Sequence, residues 1–130
     1  MAVKKKNVTR KKVKKVVSHA RVCINAGLNN TIITFTDLDG NTIAWATPSV
    51  CGFKGSKKST PYAAQKAAEE ASDRARAYAV EKVDVLVKGI GSGREQAIRG
   101  LHLSGLEITS IVDRTAGPHG GCRKKNPRSV

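Results

Sequence analysis

The chain has 130 residues, with 24 Lys and Arg against 10 Asp and Glu and a net charge of +14. That length holds one domain and no second core, and no apolar run approaches the roughly 18 residues of a membrane span. Three widely spaced cysteines, Cys23, Cys51 and Cys122, fit a reducing compartment better than a disulfide framework. The charge excess sits at the two ends. Residues 1–36 carry nine basic side chains and no acid, residues 114–130 carry five and no acid, and residues 37–113 carry ten of each sign. Such ends repel themselves in water and are stabilised by a polyanion, which points to nucleic acid. A basic arm also suits anionic lipid, but no amphipathic anchor or lipidation signal accompanies it, so no membrane partner is expected. The N-terminus shows neither the apolar stretch of a secretory leader nor the Arg- and Ser-rich pattern of a presequence.

Residues 1–15 read as a basic arm carrying Lys4, Lys5, Lys6, Arg10, Lys11, Lys12, Lys14 and Lys15, too polar to join a core. Residues 16–113 read as the globular body. From Val16 to Ala26 the sequence alternates, with Val16, Ser18, Ala20, Val22 and Ile24 on a largely apolar face, which predicts a first strand. Gly27 to Asn30 supplies turn chemistry, and the β-branched run Thr31–Thr36 predicts a second strand. Asp39-Gly40 is a hairpin signal, because both turn positions must accept positive φ. Asn41 to Ala46 then makes a third strand, with Ile43 and Trp45 on one face, and the three form an antiparallel meander.

Residues 47–59 form a loop rich in Gly, Ser and Lys. Thr60-Pro61 reads as an N-cap followed by a first-turn proline. A helix over about 61–80 follows, with Ala64, Ala67, Ala68, Ala71, Ala75, Tyr78 and Ala79 along one face. Val83 to Val87 is a fourth strand, Gly89 to Gly93 a tight loop, and Arg94 to His102 a second helix with Ala97, Ile98 and Leu101 inward. Leu106 to Val112 is a fifth strand, with Leu106, Ile108 and Ser110 on one face. The order βββαβαβ predicts an α/β fold, a mixed five-stranded sheet with two main helices against it. Residues 114–130 leave the core as a basic tail.

Three segments carry chemistry. In the loop, Gly52 and Gly55 permit close backbone approach, and Lys54, Lys57, Lys58, Ser56 and Ser59 supply phosphate donors just before a helix N-terminus, where free N–H groups favour an anion. Gly89 to Arg94 lies between strand and helix, but Arg94 stands where a dinucleotide fold has its last glycine. Backbone contact to phosphate, with Arg94 as a clamp, fits better, and a plain tight turn is the other reading. His119 and Cys122 are too few for zinc, which takes four ligands. Asp37, Asp39, Asp84 and Asp113 show no shared face of the kind a two-metal nuclease needs. The five aromatic residues, Phe35, Trp45, Phe53, Tyr62 and Tyr78, are scattered, with no stacking platform.

The segment Gly52 to Gln65, GFKGSKKSTPYAAQ, resembles the small-subunit ribosomal protein eleven family in its bacterial or organellar form. Asn29 to Ile32, Ala44 to Ala46, Val87 to Gly89 with Gly93 to Glu95, Ile111 to Asp113, and Pro118-His119 with Gly121 to Arg123 agree in the same register. The resemblance spans about residues 16–123. It implies a fold like that of ribonuclease H without its catalytic carboxylates, hence no enzyme and no cofactor. It implies small-subunit rRNA as partner on the platform, near the mRNA exit and the Shine–Dalgarno helix, with small-subunit proteins seven, eighteen and twenty-one as neighbours. The setting implied is the ribosome of the cytoplasm or, for an organellar form, of the matrix or stroma. Family rRNA contacts carry over onto Lys54, Lys57, Lys58, Ser59, Gly93, Arg94, His119 and Arg123. The charge distribution adds the arm cations and Lys124, Lys125 and Arg128. The tail departs from the family pattern: Gly120 replaces an asparagine, and fewer basic residues follow. Two rivals share features with this reading, a free-standing nucleic-acid chaperone and a metal-dependent nuclease.

Overall fold

A computed structural model describes residues 16–129, so the arm and its eight cations from Lys4 to Lys15 lie outside the described residues. The strands are β1 (His19–Ala26), β2 (Thr31–Thr36), β3 (Thr42–Ala46), β4 (Lys82–Lys88) and β5 (Glu107–Asp113). The helices are α1 (Pro61–Ala75) and α2 (Arg94–Leu103). The five strands form one mixed sheet in the order β3-β2-β1-β4-β5. Pairing is antiparallel between β1 and β2 and between β2 and β3, and parallel between β1 and β4 and between β4 and β5. Four strands therefore point one way and β2 alone points the other. The crossovers β3–α1–β4 and β4–α2–β5 step in the same direction across the sheet. Right-handed connections of that kind place both helices on one face.

The strands turn one apolar side to those helices. Ala20, Val22, Ile24, Ile33, Phe35, Ala44, Ala46, Val83, Val85 and Val87 join the α1 alanines, Ala97 and Leu101 in one core. Burying each of the larger of these side chains is worth about 1.5–3 kcal/mol. Thr60 caps α1 by accepting a hydrogen bond from Ala63 N at 3.3 Å, with Pro61 in the first turn. A cap of this kind contributes about 1 kcal/mol. Alanines on the inner face let α1 lie close to α2. A Cβ placed on Gly100 of α2 would come 2.8 Å from Gln65 O and 2.9 Å from Ala68 Cβ, so the close approach of the helices requires a glycine there.

Several local expectations need correction. α1 ends at Ala75 rather than near residue 80, and a 3-10 turn at Arg76–Tyr78 leads to Ala79 in the left-handed region, φ 55°. The chain must reverse there to enter β4, and Tyr78 O is taken by Val17 N at 2.9 Å. β1 begins at His19, not Val16, because the alternation slips at Val17. Val17 is buried while Val16 is 71% exposed, and Ser18 O accepts from both Glu81 N and Lys82 N. β5 does not keep Ile108 and Ser110 on one face. A bulge at Thr109 pairs Ile108 with Val83 but Ser110 with Asp84, which rotates Ser110 to the helix-free side. The lysine loop is wound into a 3-10 turn, Gly55–Ser59.

Candidate nucleic-acid interface

The topology sorts the connections into two groups. At the carboxyl end of β1, β3, β4 and β5 lie residues 27–30, residues 47–60, residues 89–93 and the tail from residue 114. Those segments hold Lys54, Lys57, Lys58, Arg114, Arg123, Lys124, Lys125 and Arg128, and no acid. At the amino end lie residues 37–41, 76–81 and 104–106, which hold Asp37, Asp39 and Glu81 against Arg76 alone. Val17, bonded to Tyr78 O, brings the start of the described chain to this second end. In open α/β sheets the carboxyl ends of the strands are where ligands gather. Here the connections at that end are cationic, while the acids Asp113 and Glu95 stand where β5 ends and α2 begins.

Its loops are stitched together. Lys57 N donates to Lys54 O at 3.3 Å, the Ser59 hydroxyl to Ser56 O at 2.8 Å, and the Thr60 hydroxyl to Lys57 O at 2.8 Å. Lys54 and Lys57 are exposed and Lys58 is half-buried. The Ser59 hydroxyl proton is thus spent inside the turn, which leaves its oxygen as an acceptor. The Ser92 hydroxyl crosses to Ser59 O at 3.0 Å, so the two glycine-containing loops are neighbours. Each leads into a helix, and both helix N-termini face the same end, where their positive dipole ends favour an anion.

The glycines of the second loop answer to packing. A Cβ on Gly91 would lie 2.2 Å from Gly27 O, and Gly91 N already donates to Ala26 O at 2.9 Å. Gly93 is buried, and a Cβ there would meet Ala64 Cβ at 2.7 Å and Thr31 Oγ1 at 2.8 Å. Gly93, expected to touch RNA, is therefore held for close packing; the exposed residues of this loop are Ile90 and Ser92, neither of which was expected in the site. The plain tight turn and the anion-facing loop coexist in one segment.

Arg94 is paired, contrary to the picture of a free clamp. Its guanidinium meets the carboxylate of Asp113 at the end of β5. The hydroxyl and the backbone N–H of Thr115, with Arg94 behind them, hold the Asp113 carboxyl well below its ordinary value, at about 2. A cavity of about 410 Å³ beside this pair is bounded by Ser92, Glu95 and Ile98. In the tail, His119, Arg123, Lys124, Lys125 and Arg128 are exposed and belong to no helix or strand. Lys88 and Arg114 also stand exposed at this end. Sequence reasoning left both out of the site; their positions just inside and just after the strand ends were the signal.

The aspartates do not converge. Asp37 braces the β2–β3 turn, accepting from Asn41 N at 2.8 Å and Asn41 Nδ2 at 3.0 Å, and Asp39 sits exposed in the same turn. Asp84 lies on the helix-free face of the sheet, bonded by Thr109 and Ser110, with His19 Nε2 3.0 Å away. Hydrogen bonds from Thr109 and Ser110, with the His19 ring close by, lower its carboxyl below the ordinary value. Among the described residues no three His, Cys, Asp or Glu side chains are grouped to hold a metal ion.

Comparison with known proteins gives a consistent answer. A family model described as ribosomal protein S11 matches residues 20–129. The chain is 56% identical over 120 residues to the small ribosomal subunit protein uS11 of Thermus thermophilus, covering 92% of this chain and 93% of that one. It is 54% identical over 122 residues to the small ribosomal subunit protein uS11 of Francisella tularensis subsp. mediasiatica, covering 94% and 95%.

Proposed function

The chain belongs to the ribosomal protein S11 family, and we propose that it is a structural protein of the small ribosomal subunit that grips rRNA with the carboxyl end of its sheet. The observation that supports this reading best is the segregation of charge: eight cations and no acid on the connections at that end. Phosphates bound there displace condensed counterions, so affinity is entropic in origin and falls with salt. Lys54, Lys57 and Lys58 meet the phosphates beside the α1 N-terminus, and the Ser59 oxygen, its proton held by Ser56 O, is left to accept from a ribose 2′-hydroxyl. Ser92, Arg94 and the packed loop around Gly93 form the second contact line. His119, Arg123, Lys124, Lys125 and Arg128 extend it along the tail, and the cations of residues 4–15 add phosphate contacts of their own. Phosphate contacts of this sort set position and carry little sequence information. Recognition then comes from the folded shape of the RNA.

The finer placement follows the family resemblance: the platform, near the mRNA exit and the Shine–Dalgarno helix, beside small-subunit proteins seven, eighteen and twenty-one, in the ribosomes of the cytoplasm or of an organelle. Sedimentation of a lysate in high magnesium tests the reading. The chain should travel with the small subunit and stay there through a moderate salt wash. A chain that stays at the top of the gradient, free or on other nucleic acid, would favour the free-standing chaperone instead.

A further inference from the structure

Besides Glu95 in the first turn of α2, the cationic end carries a second acid that the phosphate grip does not explain. Asp113 is the last residue of β5 and points a charged carboxylate at a surface meant for phosphates, where it opposes binding. Its contacts explain its presence. Oδ2 takes the Arg94 guanidinium from the start of α2. Oδ1 accepts from Thr115 N at 2.9 Å and from the Thr115 hydroxyl at 2.6 Å. That same hydroxyl oxygen accepts from Gly89 N at 3.2 Å. A hydroxyl has one proton and two lone pairs; here the proton goes to the carboxylate, and a lone pair receives the glycine N–H. Arg114 N adds one more rung, to Val87 O at 2.8 Å. The end of β4, the glycine loop, the start of α2 and the root of the tail are thereby tied at one carboxylate. Beyond it, residues 116–129 are all exposed and form no helix or strand, so the tail's direction is set at its root.

We propose that the Arg94–Asp113–Thr115 junction is a latch that aims the basic tail along the RNA surface, and that Asp113 is a positioning residue for RNA binding although its own charge opposes it. This inference rests on the rRNA-binding reading above. It also reassigns Arg94, whose guanidinium holds the latch before it meets any phosphate. Pre-aiming a tethered cationic segment lowers the ordering cost of binding. The Asp113 carboxyl, held at about 2, stays ionised at every pH near neutrality, so the latch is permanent rather than switched.

The test inverts the usual electrostatic expectation. Removing an acid from a polyanion-binding surface should tighten binding; Asp113→Ala should instead weaken it, by about 3- to 10-fold, as a loss of pre-organisation. Affinity for a small-subunit rRNA fragment is measured on the full chain for Asp113→Ala and for Thr115→Val, which removes the hydroxyl at an exposed site. Both substitutions are repeated in a chain carrying Arg123→Ala, Lys124→Ala, Lys125→Ala and Arg128→Ala. The latch predicts a loss for both variants with the native tail, and none, or a slight gain for Asp113→Ala, with the neutral tail. Equal losses in both backgrounds would mean a general structural defect and overturn the inference, as would native-tail variants that bind as well as wild type or better. A wild-type chain that ignores the rRNA would bring down the binding reading, and the latch with it.

Discussion

The two ends of the sheet have opposite characters. At the carboxyl end of the parallel strands the connections are cationic, free of acids and braced by hydrogen bonds between loops. At the amino end Asp37, Asp39 and Glu81 outnumber Arg76, and Asp37 is occupied with holding a turn. The body is electrically balanced in sequence yet polarised in space, because βββαβαβ topology sends alternate connections to opposite ends. A protein of this kind can press one end against phosphates while the other meets something else.

Charge removal at the two ends should break the symmetry most visibly. Lys54→Ala/Lys57→Ala/Lys58→Ala is expected to lower rRNA affinity by roughly 10-fold or more near physiological salt, and to flatten the log–log salt slope by about two. Arg76→Ala/Lys82→Ala at the amino end should change affinity by less than about 2-fold. Filter binding across a salt series reads both, and equal losses would erase the distinction. A smaller effect separates packing from contact. Gly93→Ala drives a methyl into Ala64 and Thr31 and should cost about 1–3 kcal/mol of stability, as overpacking does, measured by denaturant unfolding. RNA affinity of the folded fraction should change little. The smallest effect concerns pH. Asp113 has a folded-state value depressed from its ordinary 3.8 to about 2, so what its ionised form contributes is fully present above pH 3.8 and is lost as pH falls toward 2. The Thr115 amide resonance should hold steady from neutrality to about pH 5 and move between about pH 4 and 2; a transition near pH 6 would assign the contact to another group.

Much of the fold was readable from side-chain pattern. The run Thr31–Thr36 is β-branched enough to define β2 without help, and Thr60-Pro61 marks the start of α1 because cap chemistry is local. What failed was non-local. α1 keeps its alanine face to Ala75 but stops there because the chain must turn toward β4, a demand set by Val17 and Tyr78 meeting across 61 positions. The bulge at Thr109 depends on Asp84 in the neighbouring strand. The lysine loop was found by composition and by family resemblance alike, and its position by topology alone. The burial of Gly93 against Thr31 and Ala64, and the partnering of Arg94 with Asp113, 19 residues away, could not be seen from a loop motif. Lys88 and Arg114 were passed over because neither stands in a cluster; only the ends of the strands bring them beside the loop cations.

Crosslinking mass spectrometry on small subunits containing this chain tests the central claim most directly, since it reports which peptides lie against RNA. The account predicts crosslinks to rRNA from the segments around Lys54–Thr60, Lys88–Arg94 and Arg114–Arg128, with residues 37–41 and 76–81 silent. Crosslinks concentrated on those amino-end segments, with the lysine loop silent, would contradict it.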